Sequence, residues 1–253
     1  MFFWNCWLRN RFRLAAYLFF GCALMLVGTL PVTMAQVHGH WVWVHPRSVR
    51  DAMDAWRYGT EHVALVLVFL LLISAADLGS LGVGESAARK EYDFLLTRPR
   101  ARRHFVWSAW LAGLTQLCFL ALVAFVVAVT TLYILTSGIY PDPLWQRSLG
   151  AFILGLLVFS GAFALSLATG SSRSGFELAA SLLIINYAVQ EMSWRFAIWG
   201  IAHGWPITSP IYWEGAYGLL NDPHLRYVVF LLMLAATAIL AFLAQFAFAR
   251  KDL

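Results

Sequence analysis

The feature that most constrains this chain is a series of apolar runs, each about as long as a bilayer is thick, spread along its whole length. An α-helix rises about 1.5 Å per residue, so about 20 residues cross the roughly 30 Å hydrocarbon layer. Six runs meet this length, and they cover residues 14–36, 62–84, 105–135, 149–170, 176–200 and 227–248. The sequence therefore predicts an all-α, polytopic membrane protein with six transmembrane helices, forming one domain over residues 1–253.

The composition argues against an ordinary water-soluble fold. Hydrophobic residues make up 61% of the chain and charged residues 12%, with a mean hydropathy of +0.70. Soluble domains have about 45–50% apolar and about 25% charged residues, so lipid is the expected solvent for most side chains. The net charge of +5 comes from basic residues that cluster beside the apolar runs. Membrane topology explains this clustering, and no nucleic-acid partner is expected.

The orientation follows from the rule that short cytoplasmic loops retain Lys and Arg. Twelve of the 18 basic residues fall on the side that carries both chain ends. These twelve are Arg9, Arg11, Arg13, Arg89, Lys90, Arg98, Arg100, Arg102, Arg103, Arg173, Arg250 and Lys251. We therefore expect a multi-pass protein of the cell (inner or plasma) membrane with both termini cytoplasmic and residues 201–226 as an outer loop. A signal peptide is the competing interpretation of the first run, since small Thr33 and Ala35 precede Gln36.

Residues 1–13 have an amphipathic pattern of their own. Helical spacing gives one aromatic and apolar face and one polar face. The first face comprises Phe3, Trp4, Trp7, Leu8 and Phe12, and the second comprises Asn5, Arg9, Asn10 and Arg13. The pattern predicts a separate interfacial helix along the inner leaflet, the alternative being an unstructured tail.

The loop between the second and third runs, residues 85–104, is the most informative segment. Ala88, Tyr92, Leu95 and Leu96 follow one another at spacings of four, three and one, which gives an apolar stripe on a helix. The opposite side carries Arg89, Lys90, Asp93 and Thr97. Pro99 ends this helix and can begin the next one. The loop therefore predicts a short docking helix, the alternative being a basic loop with a chance pattern.

This loop resembles the first cytoplasmic loop of type-2 ATP-binding-cassette (ABC) permeases, which commonly show Leu-Leu-(Ser/Thr)-x-Pro-x-(Ser/Ala)-Arg here. The matching positions are Glu85, Glu91, Leu95, Leu96, Thr97, Pro99, Ala101 and Arg102, with Ala101 where serine is frequent. The six spans, the outer loop between the last two and the basic carboxyl end also resemble that layout. The resemblance implies a membrane-spanning permease subunit of an exporting ABC transporter.

In that family the loop helix is a coupling helix that fits into a groove of a separate ATPase. The residues implied to couple the chain to the ATPase are Glu85, Glu91, Tyr92, Leu95, Leu96, Pro99 and Arg102. The implied partners are an ABC ATPase subunit and a second permease copy, in a homodimer or with a closely related paralogue, besides membrane lipid.

The lysines support a division of labour between subunits. Lys90 and Lys251 are the two lysines of the chain, and neither stands in the GxxxxGKS or GxxxxGKT pattern that cradles phosphates. ATP and Mg²⁺ are therefore expected on the partner ATPase, with no cofactor bound by this chain. The chain is expected to be a transporter subunit and not itself an enzyme.

Polar residues inside the apolar runs are candidates for a translocation path, because ionisable groups are costly in lipid. Those residues are Asp77, Asn186, Gln190 and Glu191. The alternative for each is a contact between helices, and for Glu191 an ion pair with Arg195 four residues later. Two further patterns predict structural roles. Ala162, Ser166 and Gly170 have the spacing of a close helix contact, and Glu177 is expected to favour the start of the fifth helix.

Three histidines support a different class of function. His38, His40 and His45 lie among tryptophans in an outer segment, and imidazoles are common metal and haem ligands. An integral membrane enzyme or redox subunit that uses them for haem or metal is the alternative to the permease. The simpler interpretation is an aromatic belt formed by Trp41 and Trp43, so no metal site is predicted.

Overall fold

The computed structural model describes residues 2–37, 40–43, 66–80, 99–135, 144–198 and 223–249. These residues form six helices and two short strands. In chain order the helices are α1 (Phe2–Thr33), α2 (Val66–Ser80), α3 (Pro99–Leu135), α4 (Leu144–Thr169), α5 (Ser172–Ile198) and α6 (Pro223–Ala249). Each of the six predicted apolar runs therefore contains a helix, and the helical fold class is confirmed.

Two helices are long and apolar enough to cross a membrane by their length and composition. They are the Arg103–Thr131 stretch of α3 and the Ser148–Thr169 stretch of α4, with mean hydropathies of 2.4 and 2.3. The apolar stretches Val66–Ser80 and Phe230–Phe246 are shorter. Within the described residues, the structure thus supports membrane association through α3 and α4.

Helix α1 differs from the prediction of a separate amino-terminal helix. It runs without a break from Phe2 to Thr33, so no element boundary separates residues 1–13 from the first apolar run. The first glycine of the chain is Gly21 and the first proline is Pro31, so nothing in the preceding sequence interrupts helical hydrogen bonding. The predicted polar face is also wrong at Asn10, which is buried in the protein.

The pair of strands departs from the all-α expectation. Strand β1 (Met34–Val37) pairs antiparallel with β2 (His40–Trp43), with Met34 opposite Trp43 and Val37 opposite His40. Two residues separate the strands, which is the connection length of a tight hairpin. Valine and tryptophan favour strands, and Pro31 weakens the last turn of α1. The first helix consequently ends three residues before the predicted position 36.

Two helices begin at a proline. Helix α3 starts at Pro99 and α6 at Pro223. Proline suits the first helical position because its missing N–H would have no partner there and its fixed φ is already helical. The prediction that Pro99 begins the next helix is confirmed.

The chain forms two compact units whose boundaries fall inside helices. Unit 1 comprises Met1–Asn10, Leu72–Leu117 and Ile153–Leu253, and unit 2 comprises Arg11–Leu71 and Cys118–Phe152. In unit 2, Gly21 of α1 leaves room for Leu70 of α2, since a Cβ at position 21 would lie 2.5 Å from the Leu70 Cδ2 atom. Leu67, Val68 and Leu71 are the other buried side chains of α2 in this unit.

Helix α4 occupies the centre of unit 1. Its Phe159 lies against two glycines on neighbouring helices, Gly79 of α2 and Gly113 of α3. A Cβ at Gly79 would lie 2.4 Å from the Phe159 carbonyl oxygen, and a Cβ at Gly113 would lie 2.6 Å from the Phe159 ring. Such distances are too short for any side chain, so glycine permits α2 and α3 to approach α4 closely.

A tight turn joins α4 to α5. Gly170 has a φ of 72° and its N–H donates to the Ser166 carbonyl at 2.9 Å, which closes α4 with a left-handed residue. The Ser171 Oγ then accepts from the Ser174 N–H at 3.3 Å and caps the start of α5. Gly170 therefore ends a helix, which corrects its predicted role in helix packing. Ala162 and Ser166 are fully buried, so their predicted packing role is confirmed.

Candidate functional site

The predicted coupling helix falls in a part of the chain that the structure leaves undescribed. Glu85, Glu91, Tyr92, Leu95 and Leu96 lie outside the described residues. Pro99 and Arg102 belong to the first turns of α3. The structure therefore describes the helix on which the predicted coupling segment is mounted, and not that segment.

The first turns of α3 are anchored in the apolar core of unit 1. Phe105, Val106, Ala109 and Ala112 are buried along one face of α3, as their helical spacing requires. The same core contains residues of three other helices, namely Cys6 of α1, Phe163 and Leu167 of α4, and Ala244 and Phe248 of α6. Close packing on this scale resists displacement of one helix without its neighbours. The start of α3 is thus fixed to the rest of unit 1.

Five side chains, which we call the Trp107 platform, extend this anchorage with specific geometry: Trp107, Trp110, Phe159, Phe242 and Gln245. The Trp107 ring meets the Trp110 ring edge-on at a centroid distance of 5.7 Å and the Phe242 ring of α6 edge-on at 5.7 Å. Trp110 lies 6.3 Å from the Phe159 ring of α4. Aromatic pairs of this kind contribute about 0.5–1.5 kcal/mol each beyond their burial.

Both indole N–H groups of the platform have acceptors on other helices. The Trp107 Nε1 donates to Gln245 Oε1 at 3.0 Å, and the Trp110 Nε1 donates to Ser160 Oγ at 3.3 Å. These bonds link α3 to α6 and to α4 within about three turns of Pro99. The early turns of α3 are therefore bonded to both α4 and α6.

Nearly two turns beyond Trp110, Gln116 joins α3 to the amino-terminal turns of α1. Gln116 is fully buried, its Nε2 donates to the Trp7 carbonyl at 3.0 Å, and its Oε1 accepts from Asn10 Nδ2 at 3.4 Å. The Trp7 carbonyl can accept the bond from Gln116 in addition to its bond within α1, because a carbonyl oxygen has two lone pairs. Asn10 and Gln116 thus satisfy each other inside an apolar core, where an unbonded amide is costly.

Ser166 is a buried polar contact in the last turn of α4. Its Oγ donates to the Ser80 carbonyl at the end of α2, at 2.6 Å. On the α5 side, a Cβ added to Gly175 would lie 2.7 Å from the Ser166 Cβ atom, so α5 also passes close to this residue. Ser166 therefore fixes both neighbouring helices against α4.

The residues predicted to line a translocation path are placed only in part. Asp77 is half-buried in α2, one turn before Ser80, whose hydroxyl donates to the Asp77 carbonyl at 2.8 Å. Asn186, Gln190 and Glu191 belong to α5, but their side chains lie outside what the structure describes, as does that of Arg195. The path and the Glu191–Arg195 ion pair stay predictions.

Glu177 does not act at the helix start as predicted. Helix α5 begins at Ser172, four residues before the predicted position 176, so Glu177 lies beyond the first turn. Its carboxylate accepts a 2.7 Å hydrogen bond from the Arg173 Nε, and both side chains are exposed. The pair lies at the predicted start of the fifth apolar run. This hydrogen bond, together with the negative charge, raises the pKa of Arg173 above its ordinary value. Exposed pairs of this kind contribute little to stability.

The histidine hypothesis is not tested by the structure. His38 and His45 lie outside the described residues, and His40 is placed only as part of β2. Over the ranges that the structure does describe, no three His, Cys, Asp or Glu side chains lie close enough to hold a metal ion.

The platform residues were not identified from the sequence, although the sequence carries a pattern that could have found them. Gln116 and Gln245 are isolated amides inside long apolar stretches, where a polar side chain typically bonds to another helix. Trp107 and Trp110 each carry an indole N–H that requires a partner where the ring is packed against other helices. The partners themselves follow only from the fold.

Comparison with known proteins adds no family assignment. No family model matches the chain, and no curated protein matches its sequence.

Proposed function

We propose that this chain is the membrane-spanning permease subunit of an exporting type-2 ABC transporter, driven by a separate ATPase subunit. One observation carries the proposal. The Leu95-Leu96-Thr97-x-Pro99 sequence leads directly into a helix that begins at Pro99 and whose first turns are buried against α1, α4 and α6. A docking segment mounted in this way can move a bundle of helices instead of bending alone.

We infer that the six helices α1 to α6 each cross the cell membrane. Large apolar side chains are exposed along several of them, which supports lipid contact because water-soluble proteins rarely expose contiguous apolar faces. These side chains include Phe19, Phe20, Leu122, Val126, Leu231, Leu232, Phe242 and Phe246. The distribution of Lys and Arg then places both termini and residues 85–104 in the cytoplasm.

In the proposed mechanism, the apolar stripe of residues 85–97 docks into the ATPase, and Pro99 fixes the end of that segment to α3. ATP and Mg²⁺ bind the ATPase, and its closure displaces the docked segment. The Trp107 platform carries the displacement from α3 to α4 and α6. A second permease copy forms the other half of the path, and Asp77, Asn186, Gln190 and Glu191 are the polar residues assigned to it.

The test is a double substitution at the centre of the docking stripe, Leu95→Asp with Leu96→Asp. Charge in a desolvated contact opposes docking, where central apolar anchors typically contribute about 2 kcal/mol or more. We expect the variant to insert in the membrane and purify like the parent but to lose its ATPase partner and transport. Co-purification of the ATPase with the tagged chain, made together in the same cells, is the measurement.

The matched control changes the opposite face of the same segment. Arg89→Gln with Lys90→Gln should retain most of the bound ATPase, because that face is expected to meet solvent. Undiminished ATPase recovery and transport by the double aspartate variant would refute the coupling role, and with it the ATP-driven permease.

A further inference from the structure

An open groove on the surface of unit 1 lies beside the Trp107 platform. It has a volume of about 540 Å³, within the range of about 300–1,000 Å³ that is typical of ligand sites. Its lining is formed by Arg103 of α3 and by Ile239, Phe242, Leu243, Gln245 and Phe246 of α6. Two of these residues, Phe242 and Gln245, also contact Trp107, so the groove and the platform share side chains.

The lining has a long apolar part and a polar end. Ile239, Phe242, Leu243 and Phe246 are all exposed, and their spacing places them on one face of α6. This face offers an apolar strip along the helix axis. An extended hydrocarbon chain fits such a strip better than a compact polar molecule does.

The polar end offers donors to a ligand. Arg103 is exposed, and no carboxylate of the described residues lies within ion-pair distance of its guanidinium. The Oε1 of Gln245 accepts the Trp107 N–H, and among the described residues its amide Nε2 has no acceptor, so this donor is open to a ligand in the groove that Gln245 lines. A guanidinium and an amide N–H together are complementary to an anionic group with several acceptor oxygens, as a phosphate has.

We propose that this groove binds one anionic phospholipid, with its phosphate on Arg103 and Gln245 and one acyl chain along the exposed face of α6. The inference rests on the membrane placement within the proposed function and not on the ATPase. Under that placement Arg103 and the end of α6 lie at the cytoplasmic leaflet, where anionic lipids concentrate and basic pockets between helices bind their headgroups. A bound lipid would brace Phe242 and Gln245 against Trp107 and so stiffen the platform.

The experiment uses the full chain purified in mild detergent and native mass spectrometry. Phosphatidylglycerol and phosphatidylcholine with identical acyl chains are added at equal concentrations. We expect the first bound lipid to be phosphatidylglycerol by about fivefold, the effect of one basic residue near an anionic headgroup. Arg103→Gln should abolish this preference by weakening phosphatidylglycerol binding the most, because the choline ammonium of phosphatidylcholine already offsets the charge of its phosphate. The control Arg11→Gln removes another exposed arginine, outside the groove, and should keep the preference.

A second pair of variants tests the apolar strip without changing charge. Leu243→Trp fills the groove and should reduce binding of both lipids severalfold, whereas Leu232→Trp, at an exposed position of α6 outside the groove, should not. Melting temperatures of all variants, measured without added lipid, should match the parent and so exclude misfolding as the cause of lost binding.

Three outcomes would overturn the proposal. The first is a preference for phosphatidylglycerol that survives Arg103→Gln. The second is full displacement of the lipid by an equal concentration of inorganic phosphate, which would make the site one for a free anion. The third is a dimer that Leu243→Trp dissociates, which would identify a second copy of the chain as the occupant. All three are measured without the ATPase, so they do not depend on the coupling role of residues 85–97.

Discussion

Helices α3 and α4 have nearly equal mean hydropathies, 2.4 and 2.3, yet 39% of the apolar window of α3 is buried and 61% of that of α4. Hydropathy therefore identifies both helices as candidate membrane spans. It does not distinguish the more buried helix, α4, from the less buried one, α3. The distinction is that α4 is buried on more than one side. Its buried positions include the small residues Ser160, Ala162 and Ser166, which let neighbouring helices approach.

The exposed face of α3 shows the opposite composition. Leu111, Phe119, Leu122 and Val126 are exposed and follow one another at spacings of eight, three and four, which places them along one side of the helix. Large apolar residues on an outward face suit contact with acyl chains. In this protein, apolar residues therefore indicate the solvent of each helix face, whereas glycines, serines and amides indicate how the helices pack.

The largest expected effect comes from placing a charge on the outward face of α3. Leu122 is 61% exposed and lies near the middle of the apolar stretch. If that face meets lipid, Leu122→Asp should cost about 3 kcal/mol of membrane insertion, or roughly a hundredfold in the inserted fraction. Glycosylation acceptor sites engineered on both sides of α3 report that fraction.

The control for this charge is Ala168→Asp, at an exposed position in the last turn of α4. The cost of a charge falls toward the membrane interface, so insertion should change far less there. Equal insertion of the Leu122→Asp variant and the parent chain would mean that the outward face of α3 meets water. The proposal that α3 crosses the membrane would then be wrong.

A smaller effect is expected from shortening matched leucines on the two helices. Leu154 of α4 is 2% exposed, so Leu154→Ala leaves a cavity in unit 1 and should cost about 2–3 kcal/mol of the free energy of unfolding. Leu122→Ala should cost less than about 0.5 kcal/mol, because solvent or lipid fills the space that the side chain leaves. Unfolding by SDS in mixed micelles measures both, and similar losses would contradict the assignment of α4 to the interior.

Helix positions were largely predictable from the sequence because length and hydropathy are local properties. All six apolar runs contain helices, and the start of α3 at Pro99 was predicted from the steric restrictions of proline. The errors occurred where local patterns compete. An amphipathic pattern over residues 1–13 predicted a separate helix, yet no breaker interrupts α1 before Gly21. Strand β1 begins at Met34, three residues after Pro31, where the predicted first span still continued to position 36.

The candidate site was less predictable because its contacts join residues far apart in sequence. Trp107 and Gln245 are neighbours only through the packing of α3 on α6, and Gln116 meets Asn10 only through the packing of α3 on α1. Gly170 illustrates the same limit at short range. Its spacing from Ser166 fitted a packing stripe, whereas its left-handed φ assigns it to the end of α4. Composition identifies which residues need partners, and the fold decides which partners they find.

The smallest effect that we predict separates a specific polar contact from general burial. Gln116 is 0% exposed and Asn10 is 5% exposed, and the two amides bond to each other. Gln116→Leu should cost about 1 kcal/mol of the free energy of unfolding, since it removes two hydrogen bonds and leaves Asn10 unsatisfied in an apolar core. Asn10→Leu should cost a similar amount for the same reason. The double variant should cost less than the two single losses added together, because it leaves neither amide without a partner.

Thr115 provides the control for this cycle, because it precedes Gln116 in sequence but, among the described residues, its hydroxyl bonds within its own helix. Its hydroxyl donates to the Leu111 and Ala112 carbonyls at 3.0 and 2.9 Å. Thr115→Val combined with Asn10→Leu should therefore give additive losses in the same SDS titration. Additivity for Asn10 with Gln116 as well would show that burial alone holds the amino-terminal turns of α1 against α3. Non-additivity for Asn10 with Gln116 but not with Thr115 would instead show that the amide pair holds the amino-terminal turns of α1 against α3. The inward side of α3 would then be held to a neighbouring helix by a specific polar contact, as α4 is held to α2 by Ser166.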